Sequence, residues 1–444
     1  MPELPMFLAD APVTRTGALQ GGVGMEIQEL RRLKKEFDRH VKRFDSCIKT
    51  APSRAHMRTY LRGQLGPLER KSIEPIALDA GTPPRTLQEF LAIHRWDHDA
   101  VGRRLRSLVI QDHADERAIA VVDESSFEKC GLMTAGVQRQ YSGRLGKIAN
   151  CVVTVNLGYA AGAFHCLLDG DLYLPASWAE DRERCRKAHI PEDVGYRPKW
   201  QIALDILNRS LSEGVRFRWL TADEGYGQCA GFRHGVAATG LLYMVEVASS
   251  LQGWTRAPKV QPAGFKGAKG RPLSEPRVAS GQRKARKVKA LWQRGGPSWE
   301  LYRIKDTEKG PSVWRVRESR FYPSENGVPG EALRVIVAVN VLDGEVKYFL
   351  SNAPEEVPLK ELLTVAFSRW HIEKLYNEGK GEVGLHHFEV QGYPSLIRHL
   401  VLTNLSLYFL AEQTEILRGE KPGVVDLPGA QGSGGPTGTG RSAA

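Results

Sequence analysis

Met25, Ile27, Leu30, Leu33, Phe37, Val41, Phe44 and Ile48 recur at steps of mostly three or four, with densely charged positions between them. That spacing predicts one long amphipathic helix. Helical pattern continues through Met57 to Gly63, Arg85 to Ile93 and Asp97 to Val109, with turn signals at Gly81 to Pro84, so residues 25–112 read as an all-helical domain. At Ala118 the texture changes. Ala118 to Val122 is a short β-prone run ending in Asp123, and strand-like runs follow at Asn150 to Leu157 and Ala163 to Leu174. An amphipathic helix over about Lys199 to Glu213 leads to a strand at Val215 to Ala222, which ends in Asp223; a further helix then reaches a strand at Leu241 to Val247.

Three neighbouring strands followed by helix, strand, helix, strand suit a mixed α/β sheet covered on both faces, the order of a ribonuclease-H-like core. Strand patterns at Ser312 to Phe321, Ala332 to Leu342 and Val346 to Ser351 predict a β-rich insertion, and helical pattern resumes at Leu359 and continues to Leu410. The expected organisation is a flexible segment 1–24, a helical domain 25–112, a core in two parts (113–250 and 351–418) around a basic insertion 251–350, and a disordered Gly-rich tail 419–444.

Composition narrows the class. With 444 residues, 41% hydrophobic and 25% charged, the chain can bury a large core and is neither fibrous nor wholly disordered. Six cysteines without a Cys-x-x-Cys pair exclude a zinc ribbon or thioredoxin-type motif and read as reduced thiols. Leu400 to Ala411 is the longest uncharged hydrophobic run, well short of the ~20 residues needed to cross a bilayer, so no membrane association and a cytoplasmic location are expected.

Charge points to a partner. Sixty-two Lys and Arg against 51 Asp and Glu leave +11. Between Trp254 and Arg294 twelve basic residues face the single acid Glu275, a local surplus equal to that of the whole chain. The densest part, Arg283, Lys284, Arg286, Lys287 and Lys289, suits a nonspecific clamp on a nucleic-acid backbone; a solvated linker is the alternative. Trp292 and Trp299 lie beside it, and packing is the plain reading of either.

Asp123 and Asp223 each follow an apolar strand, where open α/β sheets place ligands. Alone, either reads as a turn former. A third acid changes the picture: in the stretch 369–380, Arg369, Glu373, Tyr376 and Lys380 fall on one helical stripe, combining a carboxylate with two cations. Two aspartates and a glutamate would form a hard oxygen cage for two Mg²⁺ ions, the arrangement used for in-line displacement at a phosphodiester.

The Arg-x3-Glu-x6-Lys pattern of Arg369, Glu373 and Lys380 resembles the signature around the third acid of DDE transposases from bacterial insertion sequences, in the branch with a β-rich insertion before that Glu. Other stretches carry the same resemblance in order. They include Tyr60 to Gly63 with Glu69 to Lys71, Trp96 with Asp97, and Asp123 followed by Lys129 and Gly131. Arg139 to Tyr141, Gly146 with Lys147, Asn150 with Cys151, Leu172 to Pro175 with Trp178, Asp223 with Glu224, and Tyr226 with Gly227 continue it, and Gly384 with Leu385 and Arg398 with His399 follow the third acid. The family often has Tyr three residues before the Arg; here Ala366 stands there, with Phe367 or Tyr376 as the available substitutes.

The resemblance implies that Asp123, Asp223 and Glu373 are the catalytic, metal-binding triad, using two Mg²⁺ ions with Mn²⁺ as a substitute. It implies cut-and-paste transposition through a DNA hairpin, with terminal inverted repeats and target DNA as partners and a homodimer in the synaptic complex. The helical domain would read the repeats, Arg369 and Lys380 would hold phosphates, Trp292 or Trp299 would stack on a displaced base, and the protein would be bacterial and nucleoid-associated. A catalytically inactive or host-adopted DNA-binding protein, and a nuclease that does not join strands, are the competing expectations.

Overall fold

The computed structural model describes residues 27–420, apart from 268–270, 293–297 and 308–309. The expected flexible segment 1–24 and all but the start of the 419–444 tail lie outside the described residues, as does the side chain of Trp292.

Five helices open the chain: α1 (Ile27–Lys42), α2 (Ala51–Leu65), α3 (Ile73–Asp79), α4 (Pro84–Ala92) and α5 (His98–Asp112). Helix α1 is shorter than its periodicity; Phe44 and Ile48 lie beyond its end yet are fully buried, so the apolar spacing survives where the helix does not. Starts are fixed by local chemistry. Thr50 caps α2 by accepting from the Ser53 N–H, and Asp97 caps α5 by accepting from the Ala100 N–H at 3.0 Å. These helices do not form a detached unit. Their core is continuous with that of the sheet, and Tyr60 Oη meets His399 Nδ1 at 2.8 Å while Gln64 Nε2 donates to Thr403 Oγ1 at 2.8 Å.

The sheet begins with β1 (Ile119–Glu128), β2 (Gln138–Ser142), β3 (Lys147–Ala161) and β4 (Phe164–Leu172). Short helices α6 (Ala176–Ala179) and α7 (Arg182–Lys187) precede α8 (Lys199–Ser212), β5 (Trp219–Ala222), α9 (Glu224–Gly227), α10 (Ala230–Ala238) and β6 (Leu242–Glu246). Strand β3 pairs antiparallel with β1 and with β4, whereas β5 runs parallel to β1 and β6 parallel to β5. The first strand does not end at Asp123 as its apolar run suggests. It continues to Glu128, because the β3 partner lies opposite throughout, from Ile119 with Ala160 to Glu128 with Cys151, and takes polar Ser125 and Ser126 into the buried sheet.

The second half supplies β7 (Gln252–Trp254), β8 (Val260–Gln261), β9 (Arg277–Val278), β10 (Arg286–Lys287), β11 (Glu300–Thr307), β12 (Gly310–Glu325), β13 (Val328–Pro329), β14 (Leu333–Asn340) and β15 (Val346–Ser351). Most of these extend the first sheet: β15 pairs with β6, giving a 13-stranded sheet whose main path runs β10-β7-β12-β14-β15-β6-β5-β1-β3-β2. Only β8 and β9 pair apart from it among the described strands. The chain closes with α11 (Leu359–Phe367), α12 (Trp370–Gly381) and α13 (Tyr393–Glu420). Alternation along β1 sorts the two faces: Val122 packs toward α8 and the N-terminal helices, Val121 toward Ile372 and Leu375 of α12. Asp123 shares the face of Val121. No helix among the described residues is long and apolar enough to cross a membrane.

Candidate active site

Val122 and Ala222 are register partners on the parallel strands β1 and β5, so Asp123 and Asp223 stand one residue further along neighbouring strands. Such strands lie ~4.8 Å apart. Asp223 is the N-cap of α9: its Oδ1 accepts from the Gly225 N–H at 3.0 Å and from the Tyr226 N–H at 3.3 Å, which fixes the side chain where β5 ends. Asp123 is held from the other side. Tyr376 Oη donates to its main-chain oxygen at 3.0 Å and itself accepts from Asn156 Nδ2 at 3.1 Å.

Helix α12 brings in the third acid. Arg369, at its first cap, directs Nη1 to Asp123 Oδ2 at 3.2 Å and Nη2 to Glu373 Oε1 at 3.0 Å. One guanidinium therefore bridges two carboxylates that lie 250 positions apart in sequence. Asp123 is mostly buried, with 15% of its side chain exposed, whereas Glu373 is 55% exposed. Burial pushes the Asp123 carboxyl up to about 7; the Arg369 guanidinium opposes this and the nearby Asp223 carboxylate adds to it.

Among the described residues no three His, Cys, Asp or Glu side chains already stand as a metal cluster. Arg369 lies between Asp123 and Glu373 instead. The donor chemistry still fits a hard divalent cation. It offers carboxylate oxygens, and both burial and the Asp223 charge work against an ionised Asp123 until positive charge is supplied.

Other expected residues fall in several places. Lys380 is half-buried on α12, its Nζ 5.7 Å from the Tyr376 ring, and burial lowers its pKa. Tyr376, expected to face DNA, is instead buried with its hydroxyl committed to Asp123; it positions the strand and presents nothing to a phosphate. Arg283, Lys284, Arg286, Lys287 and Lys289 are all exposed. They are not on a free linker: β10 pairs with β7, Trp254 Nε1 donates to the Arg283 carbonyl at 2.7 Å, and Val288 is fully buried, so the run is an anchored sheet edge with its charges outward. Trp299 has the Arg317 guanidinium 4.4 Å and that of Arg315 5.8 Å from its ring centre.

Three residues around the acids were missed in the sequence. Asn156 supports Tyr376, and Glu124, on the opposite face of β1 from Asp123, pairs with Lys199. Burial raises the Glu124 pKa, with Lys199 opposing and Asp223 adding. Nothing in the sequence marks Asn156: between apolar Val155 and Leu157 it reads as the solvent-facing position of an alternating strand.

Comparison with known proteins fits this arrangement. A probable transposase for insertion sequence element IS701 from Microchaete diplosiphon is 31% identical over 168 residues, 37% of this chain. The match spans about two fifths, 41%, of that relative's own length. The family model of the DDE superfamily endonucleases matches residues 43–311, more than half of the chain; Asp123 and Asp223 lie inside the matched span and Glu373 beyond it. A match of that extent, over the segment that sets two aspartates side by side on parallel strands, makes this chain a member of the DDE superfamily endonuclease family.

Proposed function

We propose that this endonuclease is the transposase of a bacterial insertion sequence, cutting at the element's ends and joining them to target DNA, with Asp123, Asp223 and Glu373 as its catalytic acids. The observation that carries the reading is the fork of Arg369 between Asp123 and Glu373, with Asp223 on the strand next to that of Asp123. The strand arrangement, with β1, β3 and β4 antiparallel and β5 and β6 then parallel to β1, supports a ribonuclease-H-like core beneath them.

Two Mg²⁺ ions held by these carboxylates would supply an activated water and charge neutralisation at the leaving 3′ oxygen. The chain's own residues prepare the site. Tyr376 and Asn156 fix the β1 backbone under Asp123, the N-terminus of α9 fixes Asp223, and Arg369 and Lys380 supply positive charge for the phosphates on either side of the scissile bond. With cations held there, the Arg369 guanidinium would be free to turn from the carboxylates to a phosphate. The freed 3′ hydroxyl then attacks a phosphodiester of the opposite strand, bonding to its phosphorus and displacing the 3′ oxygen of the flanking DNA, to give a DNA hairpin, with Trp299 stacking on a displaced base and the Arg283 to Lys289 edge holding the backbone. Two protomers would act together on paired ends.

Incubation with Mg²⁺ and a duplex carrying the element's terminal repeat tests this. Nicking followed by joining is expected; cleavage without joining would reduce the protein to a nuclease, and binding without cleavage to an inactive DNA-binding protein. Asp123→Asn is expected to remove nicking while leaving DNA affinity within about twofold, since that side chain faces the other acids and not the surface. Retained cleavage in this variant would remove Asp123 from the site.

A further inference from the structure

The β2–β3 hairpin exposes apolar side chains that the fold does not use. Tyr141 and Ile148 are 63% and 62% exposed, and they are register partners, so they stand side by side on one face. Asn150 follows on that face, and its Nδ2 donates to the carbonyls of Lys129 at 2.6 Å and Gly131 at 2.9 Å. This ties down the neighbouring loop, which presents Leu132 at 65% and Met133 at 51% exposure. Exposed apolar side chains grouped on a hairpin and on the loop tied to it suit a binding surface.

Charge selects the occupant. From Gln138 to Asn150 the chain carries Arg139, Arg144 and Lys147 and no acid. Arg139 pairs in register with Asn150 and so shares the apolar face. Lys147 lies on the other face and Arg144 is paired with Glu128, so a second copy docking on the apolar face would bring one Arg139 toward another, within chains that each carry +11. A polyanion meets no such cost.

Position relates the hairpin to the acids. Glu128, at the end of β1, accepts from Ser142 Oγ at 2.6 Å and from Arg144 Nε at 2.8 Å. The hairpin turn is thereby pinned to the strand that carries Asp123, five residues away, or about 17 Å at strand rise. That separation equals about five base pairs of duplex.

We infer that the β2–β3 hairpin is a DNA-engaging prong, in which Arg139 on the apolar face and Lys147 on the opposite face hold phosphates on the two sides of a groove, about five base pairs from the cut, and Tyr141 with Ile148 press against sugars or a base step. The inference rests on the reading of the chain as an enzyme that acts on DNA. Because binding to phosphates is independent of sequence, the test uses a duplex of about 30 base pairs without an element end, titrated by fluorescence anisotropy at several salt concentrations.

Tyr141→Ala with Ile148→Ala should weaken binding about tenfold with an unchanged unfolding temperature, since both side chains are already in solvent. Arg139→Gln with Lys147→Gln should reduce the slope of log affinity against log salt by about 2, close to 0.9 for each phosphate no longer neutralised. Wild-type-like affinity and slope in both variants would overturn the prong and leave the enzymatic reading standing. A changed sedimentation coefficient with intact DNA affinity would overturn it in favour of a protein interface. A wild-type protein that binds no duplex would overturn both readings together.

Discussion

Tyr376 shows how a side chain can matter to a site without facing its substrate. Its hydroxyl lies between the Asn156 amide and the main-chain oxygen of Asp123, in a buried environment that pushes its pKa far above the usual tyrosine range. Removing that hydroxyl leaves a buried carbonyl and a buried amide each short of a partner, which costs about 1 to 2 kcal/mol. Tyr376→Phe is therefore expected to lower the stability measured by urea unfolding by that amount and to slow cleavage while sparing DNA affinity. A Phe variant with wild-type stability would show that water replaces the hydroxyl. The sequence pointed to Tyr376 for the wrong reason, as one of a helical stripe with Arg369, Glu373 and Lys380. Periodicity names the residues on one face of a helix but not what covers that face. Here the strand beneath takes the tyrosine, whereas Glu373 on the same stripe is 55% exposed.

Helix α13 joins the N-terminal helices to the sheet, and Glu412 is its electrostatic centre. Its carboxylate pairs with Arg43 Nη1 at 2.7 Å and lies 3.7 Å from His40 Nδ1 and 4.0 Å from His113 Nε2. Burial alone would raise its pKa, but the neighbouring His113 and His40 rings and the Arg43 guanidinium outweigh it and hold the carboxyl far below the usual range. His40 is fully buried, and burial lowers its pKa, with Glu412 opposing. Both shifts have the same sign for stability. A depressed glutamate contributes above its unfolded pKa of about 4.3 and loses that contribution as pH falls; a depressed histidine likewise favours the fold above about 6.5 and opposes it below. Unfolding free energy should thus decline from pH 7 toward pH 4, starting near 6.5. Glu412→Gln should cost about 2 kcal/mol at pH 7 and flatten the part of that decline below pH 5. An unchanged pH profile would place the acid sensitivity elsewhere. At this scale the sequence revealed most strands and long helices, because periods of 2 and 3.6 are local. It did not reveal α3, only seven residues long, or the pairing of β15 with β6, which depends on two short segments a hundred residues apart meeting edge to edge.

Across the whole molecule the continuous sheet sets the distances at which charge can act. The path from β1 to β10 crosses seven strand spacings, about 34 Å measured along the sheet, or roughly ten base pairs of duplex. Strand β2 lies on the other side of β1, beyond β3, so the acids stand between two basic edges. The local charge surplus was legible in the sequence, but its anchoring was not, since Trp254 and Val288 read equally well as residues of a linker. Anchoring matters for binding, because charges on a fixed edge meet a duplex in a set register, whereas charges on a linker pay ordering entropy first. Neutralising Arg283, Lys284, Arg286 and Lys287 together should therefore lower the salt slope of duplex binding by about 3 to 4, near 0.9 for each phosphate released. The reduction should add to that of Arg139→Gln with Lys147→Gln, because the two edges are too far apart to share phosphates. A combined variant whose slope fell no further than one set alone would mean that a single duplex never spans both edges, and the acids would then be reached from one side only.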